Sequence, residues 1–315
     1  MNKEIKFYTN NHFIESDIDL YDFVSSTENK NIPPFSDEVI DFINNFSKSI
    51  LLDQGSRKFP ELVVLADFFS KRNIKRISNK VSNKDDSYAL LPLGKTFHIA
   101  PSNVDTIFLY SSLIALICGN ICLIKLSSQR TEQIDFIIDK LNSVLSQHSN
   151  FLKRLFVFNY GHNDEITRRI SSHIDLRVIW GGDNSVKEIR SIPLNPMARE
   201  LTFPNRFSFT VMKSKEVISN QYELNSIVDS FLKDTIYFDQ QACSSPRSLI
   251  WLGSQNDNQK AQDIFWKRYL ERLPSKDYQN TPGMIMDRFV ASNFLSAINL
   301  SKRVNSAIDY PTRLK

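Results

Sequence analysis

At 315 residues the chain is long enough to bury a sizeable core and, at ~100–200 residues per domain, to form two domains, which excludes a disulfide-stapled mini-protein. With 41% hydrophobic and 23% charged residues it has the make-up of a soluble globular chain, not of a disordered or multi-span membrane protein. Thirty-nine Lys+Arg against 35 Asp+Glu leave a net charge of +4 scattered without a basic block, so nothing in the composition points to nucleic acid.

The first 30 residues are polar and weakly periodic, and are expected to form an arm or an oligomer contact. Their start, MNKEIKFYTNNHFIESD, has no apolar run of signal-peptide length. Ser36-Asp37-Glu38 then opens a helix whose apolar stripe is Val39, Ile40, Phe42, Ile43, Phe46 and Ile50, with an acidic first turn that suits the helix dipole. Phe59-Pro60-Glu61 opens a second through Leu62, Leu65, Ala66, Phe68 and Phe69, with proline in the first turn. A charged linker is expected around Lys84-Asp85-Asp86.

Strand-like and helix-like runs alternate beyond it. The pattern predicts strands at 96–100, 121–126, 154–158 and 176–180, separated by helices at 105–118, 131–147 and 165–171. Nearly continuous apolar strands in a βαβα succession predict an α/β fold, a doubly wound parallel sheet with helices on both faces. The run IFLYSSLIALICGNICLI at 107–124 has the length of a membrane span, but Ser111, Ser112, Gly119 and Asn120 interrupt it. It reads as a buried helix, a turn and a buried strand, and no transmembrane segment is expected. Further on come a helix at 184–191, a strand at 207–212, a helix at 224–232, a strand at 248–252, and helices around Phe265 and from 294 to 304.

Chemistry in such a sheet gathers at the carboxyl ends of the strands, where helix N-termini offer free N–H groups to anions. Three strand ends here carry candidates. At Ala100-Pro101-Ser102-Asn103, Asn103 either caps the following helix or donates to a developing oxyanion. Lys125 closes an otherwise apolar strand, so it either reaches solvent or binds a ribose or phosphate. In Trp180-Gly181-Gly182-Asp183 the two glycines either serve turn geometry or let the backbone approach a pyrophosphate. His98, His162 and His173 show no metal-ligand spacing.

The three cysteines, Cys118, Cys122 and Cys243, cannot form a disulfide framework, and a reducing cytoplasm is the expected compartment. Cys118 and Cys122 lie in apolar runs and read as small core residues. Cys243 stands between Gln241-Ala242 and Ser244-Ser245-Pro246-Arg247, a small and polar surround, where a thiol is either a half-buried bystander or an ionisable nucleophile.

Taken in order and near their spacing, Ala100-Pro101-Ser102-Asn103, Ile124-Lys125, Trp180-Gly181-Gly182-Asp183 and the stretch from Gln240 to Arg247 resemble the aldehyde dehydrogenase superfamily. More closely, with Lys58-Phe59-Pro60-Glu61-Leu62, they resemble the LuxC-like fatty acyl-CoA reductases of bacteria. The resemblance covers roughly residues 50–300. It implies an aldehyde-dehydrogenase-like fold: N-terminal helices and a dinucleotide-binding domain over 1–235, then a catalytic cysteine domain over 236–315 that is incomplete beside longer family members. It further implies NADPH-dependent reduction of an acyl-CoA or other acyl thioester to an aldehyde through an acyl group carried on Cys243. In that scheme Asn103 and the Cys243 backbone N–H form the oxyanion hole, Lys125 binds the adenosine ribose or its phosphate, and Gly181 and Gly182 line the dinucleotide phosphates.

Glu200 lies near the position of a general base in hydrolytic relatives, but its surround, Glu200-Leu201-Thr202-Phe203-Pro204, departs from their Glu-Leu-Gly-Gly pattern, and a reductase that releases aldehyde needs no water-activating base. The implied partners are acyl-CoA or an acyl-carrying enzyme resembling an acyl-protein synthetase, in a homo-oligomer or a larger complex. The alternative reading is a catalytically incomplete member that serves as a structural or acyl-transfer subunit.

Overall fold

The runs KTFHI, ICLIK, LFVFN and LRVIW are rich in β-branched and aromatic residues and are bounded by turns, the pattern of strands buried on both faces. In the computed structural model, which describes residues 5–9, 32–82, 89–102, 104–236, 243–273 and 282–298, they form β2 (Lys95–Ile99), β3 (Ile121–Lys125), β4 (Leu155–Asn159) and β5 (Leu176–Trp180). The four run parallel to one another, as does the edge strand β6 (Arg199–Phe203) beside β5. A two-residue strand, β1 (Lys6–Phe7), pairs antiparallel with β4 and closes the opposite edge. The order is β1-β4-β3-β2-β5-β6. Growth therefore runs outward from β2 first in one direction and then in the other, and the topological switch point lies between β2 and β5.

The predicted α/β architecture with a doubly wound, mostly parallel sheet is thus the one observed. One face is covered by α1 (Asp37–Leu51), α2 (Pro60–Phe68), α3 (Lys71–Ser82), α4 (Ile107–Ile117) and α5 (Glu132–Gln147), whose apolar side chains meet Cys122, Ile124, Leu155 and Val157. The other is covered by α6 (Asp164–Ser171) and α7 (Asp183–Arg190) through Ile166, Ile170 and Val186 against Phe97, Ile99, Leu123, Phe158 and Ile179. Caps fix where helices begin: Asn163 accepts from Glu165 and Ile166 N–H at α6, and Thr131 from Ile134 N–H at α5. The apolar run at 107–124 is α4, a turn and β3. The turn holds Gly119 at φ +82°, and a Cβ there would collide with the Ile32 carbonyl oxygen. No described helix is long and apolar enough to cross a membrane.

The rest of the described chain comprises β7 (Ser208–Lys213), β8 (Pro246–Leu252), α8 (Ser214–Ser219), α9 (Gln221–Ile236), α10 (Gln255–Arg272) and α11 (Pro282–Ala297). β7 and β8 form a two-stranded sheet. Met212, Val217, Leu224, Val228, Phe231, Ala261, Phe265 and Tyr269 make a separate core. By compactness the chain divides into Met1–Phe209 with Tyr237–Arg247, and Thr210–Ile236 with Ser248–Lys315. The helix α9, which the sequence reading puts with the first domain, clusters in the second unit, and the segment bearing Cys243 clusters in the first. Of the helix expected at 294–304, only 294–297 fall in a described helix, the end of α11; residues 299–315 lie outside the described set, as does the linker around Lys84-Asp85-Asp86.

Candidate functional site

The parallel strands deliver their carboxyl ends to one edge of the sheet, and three of the four predicted site positions in the sheet's loops can be located there. Ile99 pairs with Ile179 and with Lys125, so Ala100-Pro101-Ser102, Lys125 and Trp180-Gly181-Gly182 leave the sheet side by side. The fourth, Asn103, lies outside the described residues, and its two readings stay open.

Gly182 is the N-cap of α7, with φ −66° and ψ 161°, and no side chain caps the first turn. The turn is tied to the segment after β6 by Asn205 N–H, which donates to Asp183 Oδ1 at 3.0 Å. The conformation of Gly182 is open to any residue. A Cβ there would come no closer than 3.9 Å to the Asn205 side chain. The helix N-terminus there, without a side-chain cap, is the kind of geometry that receives a phosphate, although the Gly181 N–H is already given to the Phe203 carbonyl and the first turn carries the Asp183 carboxylate.

Lys125 ends β3 half-buried, its ammonium over the Tyr160 ring at 5.1 Å from the centroid. Burial lowers its pKa, so an anion arriving beside it would restore part of the solvation the strand end removes. Tyr160 is held in turn by a 2.9 Å hydrogen bond between its hydroxyl and Thr167.

Cys243 is exposed, on the turn ahead of β8. Its carbonyl accepts from Ser208 Oγ at 2.7 Å, which anchors the turn to the start of β7. Ser208 follows Phe203, the last residue of β6, by five positions, so Cys243 lies at most ~25 Å from that carboxyl end, counting a fully extended chain and the side-chain link. Residues 237–242, with Gln240, Gln241 and Ala242, lie outside the described set. Of the other two thiols, both expected in the core, Cys122 is there and Cys118, the C-cap of α4, is only half-buried. Cys122 donates to the Ser112 carbonyl, and burial pushes its pKa up to about 12; burial also raises that of Cys118.

Glu200 is taken up structurally. Arg177, a β5 residue whose side chain is 2% exposed, donates through Nε to Glu200 Oε2 at 2.7 Å and through Nη1 to Ser171 Oγ and the Ile192 carbonyl, and Arg190 binds the other Glu200 oxygen at 2.9 Å. Both oxygens of this carboxylate are thus engaged by arginines within the fold.

The sequence reading missed the polar chain under the switch point. Trp180 Nε1 donates to Ser111 Oγ, which meets His98 Nδ1, whose Nε2 meets Thr96. The signal lies in polar residues set in apolar runs, Thr96 and His98 alternating on β2 and Ser111 inside α4. Among the described residues no group of three or more His, Cys, Asp or Glu side chains is placed to hold a metal ion.

Residues 37–311 match the sequence profile of the family described as Acyl-CoA reductase (LuxC). Among curated proteins, the long-chain acyl-protein thioester reductase of Photorhabdus laumondii is 27% identical over 181 residues, 56% of this chain and 36% of the relative. That of Aliivibrio fischeri is 26% identical over 190 residues, 58% of this chain and 37% of the relative. The aligned part is thus little more than a third of these relatives' length. Among solved structures, an NAD-dependent benzaldehyde dehydrogenase from Corynebacterium glutamicum superposes with a TM-score of 0.63 over 98% of this chain and 74% of its own, at 11% identity. An NAD-dependent aldehyde dehydrogenase from Sinorhizobium meliloti does so with 0.63 over 94% and 63%, at 12% identity. Identities this low establish the shared fold.

Proposed function

Because the chain belongs to the LuxC family of acyl-CoA reductases, we propose that it reduces a long-chain acyl thioester to the aldehyde through an acyl group carried on Cys243. The observation that carries this reading is an exposed thiol, on a turn within the same compact unit as a sheet whose switch point offers an open, glycine-capped helix N-terminus. The acyl donor is an acyl-CoA or an acyl group borne by a partner enzyme, in keeping with the names of the relatives.

In the first step the Cys243 thiolate attacks the donor carbonyl, the bond to the donor sulfur breaks, and that sulfur leaves as thiolate while the acyl group stays on Cys243. The Cys243 backbone N–H and the Asn103 side chain donate to the oxygen that becomes negative during attack. Gly181, Gly182 and the first-turn amides of α7 hold the phosphates of the cofactor, and Lys125 its adenosine ribose or a phosphate on it. NADPH, when bound there, supplies the hydride that converts the acyl carbonyl to an aldehyde. Cys243 then departs as thiolate, ready for another donor.

Mass spectrometry after exposure to a long-chain acyl-CoA tests the reading. One acyl adduct is expected on the wild type, lost when NADPH is added with release of aldehyde, and none on Cys243→Ala. Acylation of Cys243→Ala to the wild-type extent overturns the mechanism. An adduct on Cys243 that persists in NADPH assigns the protein to acyl transfer without reduction.

A further inference from the structure

A buried polar chain lies directly beneath the switch point, and the proposed reaction does not use it. Thr96, His98 and Ser111 are 0%, 1% and 8% exposed. Thr96 Oγ1 donates to the Ile121 carbonyl at 2.9 Å, so its only hydrogen is committed and it must accept from His98 Nε2, 2.9 Å away. The imidazole proton is thereby assigned to Nε2 and Nδ1 is left as an acceptor. Ser111 Oγ, 2.7 Å from Nδ1, gives its hydrogen to that nitrogen, and its lone pair receives the Trp180 indole N–H at 3.1 Å. The chain runs in one direction, from Trp180 through Ser111 to His98, and His98 hands on to Thr96 and the β3 backbone. Each member is satisfied and none is charged. Burial holds the His98 pKa down to about 3, which keeps the imidazole neutral and the direction fixed.

The far end of this chain grips the residue on which β5 ends. The Trp180 indole is held by its N–H on one side and stacked on Phe203 on the other, with centroids 3.8 Å apart and planes at 8°. Trp180 is half-buried, Phe203 is 36% exposed, and Gly181-Gly182 follow at once. Apolar side chains of equal volume would fill the same space without the desolvation that three buried polar groups cost, so what the polar chain adds is orientation.

We propose that Ser111 and His98 are positioning residues that fix the Trp180 indole, with Phe203, as an aromatic wall of the dinucleotide crevice beside the Gly181-Gly182 turn. The inference rests on the proposed reading of the switch point as a dinucleotide site. It adds that affinity depends on the set of the indole, imposed from inside the core.

The test is NADPH titration of the full chain, followed by calorimetry and by dihydronicotinamide emission sensitised through tryptophan, with thermal unfolding of each variant as the folding control. Ser111→Ala is expected to raise the Kd roughly tenfold, the effect of one buried hydrogen bond, and to change the near-ultraviolet dichroism of the unliganded protein. Ser111→Thr keeps the hydroxyl and should restore both. Trp180→Phe keeps a ring against Phe203 but lacks the N–H; it should abolish most of the sensitised emission and match Ser111→Ala in Kd. The double variant should be no weaker than the worse single one, because both remove the same link.

If the wild type binds and Ser111→Ala leaves Kd and dichroism unchanged, or if the two effects multiply, the positioning role is overturned while the proposed function stands. If the wild type binds neither NADPH nor NADH, both fall.

Discussion

Two side chains show how burial decides what a residue can do. Arg177 and Glu200 bear opposite charges on neighbouring strands, and Arg177 is almost wholly enclosed. Removing the carboxylate strands the enclosed guanidinium, so Glu200→Met should destabilise the fold by roughly 3–5 kcal/mol, read as a lowered denaturation midpoint in urea, whereas Arg177→Met leaves Glu200 paired with Arg190 and should cost less. Glu200→Gln should lower stability while leaving acylation of Cys243 intact, and loss of acylation in a folded Glu200→Gln protein would return this carboxylate to the reaction.

His98 gives a pH signature. Burial holds its folded pKa down to about 3, below the ordinary imidazole value of about 6.5, so unfolding takes up a proton between those values. That contribution to stability is complete above pH 6.5 and is lost as pH falls, by at most about 1.4 kcal/mol per pH unit. His98→Gln should flatten the decline between pH 6.5 and 5, measured from denaturation midpoints. An unchanged slope would mean that the imidazole is not buried neutral.

The four central strands and their intervening helices were legible because each is a short apolar run closed by a turn. The edge strand RELTF was not, because it carries the two charges Arg199 and Glu200, one of them matched by Arg177 across the ladder. α3 was missed for a related reason: in KRNIKRISNKVS only Ile74 reaches the core. β1 is two residues long and has no period to read. In the candidate site the Gly181-Gly182 turn was visible as glycines after a strand. The relay was not, since Ser111 and Trp180 are 69 positions apart and only the fold joins them.

The open turn itself makes an element-level prediction. Gly182→Val places a side chain where the chain has no neighbour nearer than 3.9 Å to the new Cβ, so no clash opposes it, and thermal stability should fall only by about 1 kcal/mol, the cost of an apolar N-cap. The Kd for NADPH should nevertheless rise at least roughly tenfold, because the branched side chain stands where phosphate meets the amides. Calorimetry of the variant against wild type checks both halves.

At the scale of the molecule the cores among the described residues lie on the two faces of the six-stranded sheet and around α9 and α10. A ligand of the first stabilises the unit that binds it, by about 2.7 kcal/mol at a hundredfold excess over Kd. Differential scanning calorimetry with NADPH should raise the transition of the sheet unit alone. Movement confined to the other transition would place the cofactor elsewhere.

At Gly119 the eighteen-residue oily stretch doubles back from a helix into a strand, and the bare α-carbon there lets the Ile32 carbonyl come against it. Any side chain would push that carbonyl away, and Phe35, whose N–H reaches the Ile117 carbonyl three residues on, would be drawn with it. The seating of the chain that leads into α1 thus rests on a single hydrogen atom.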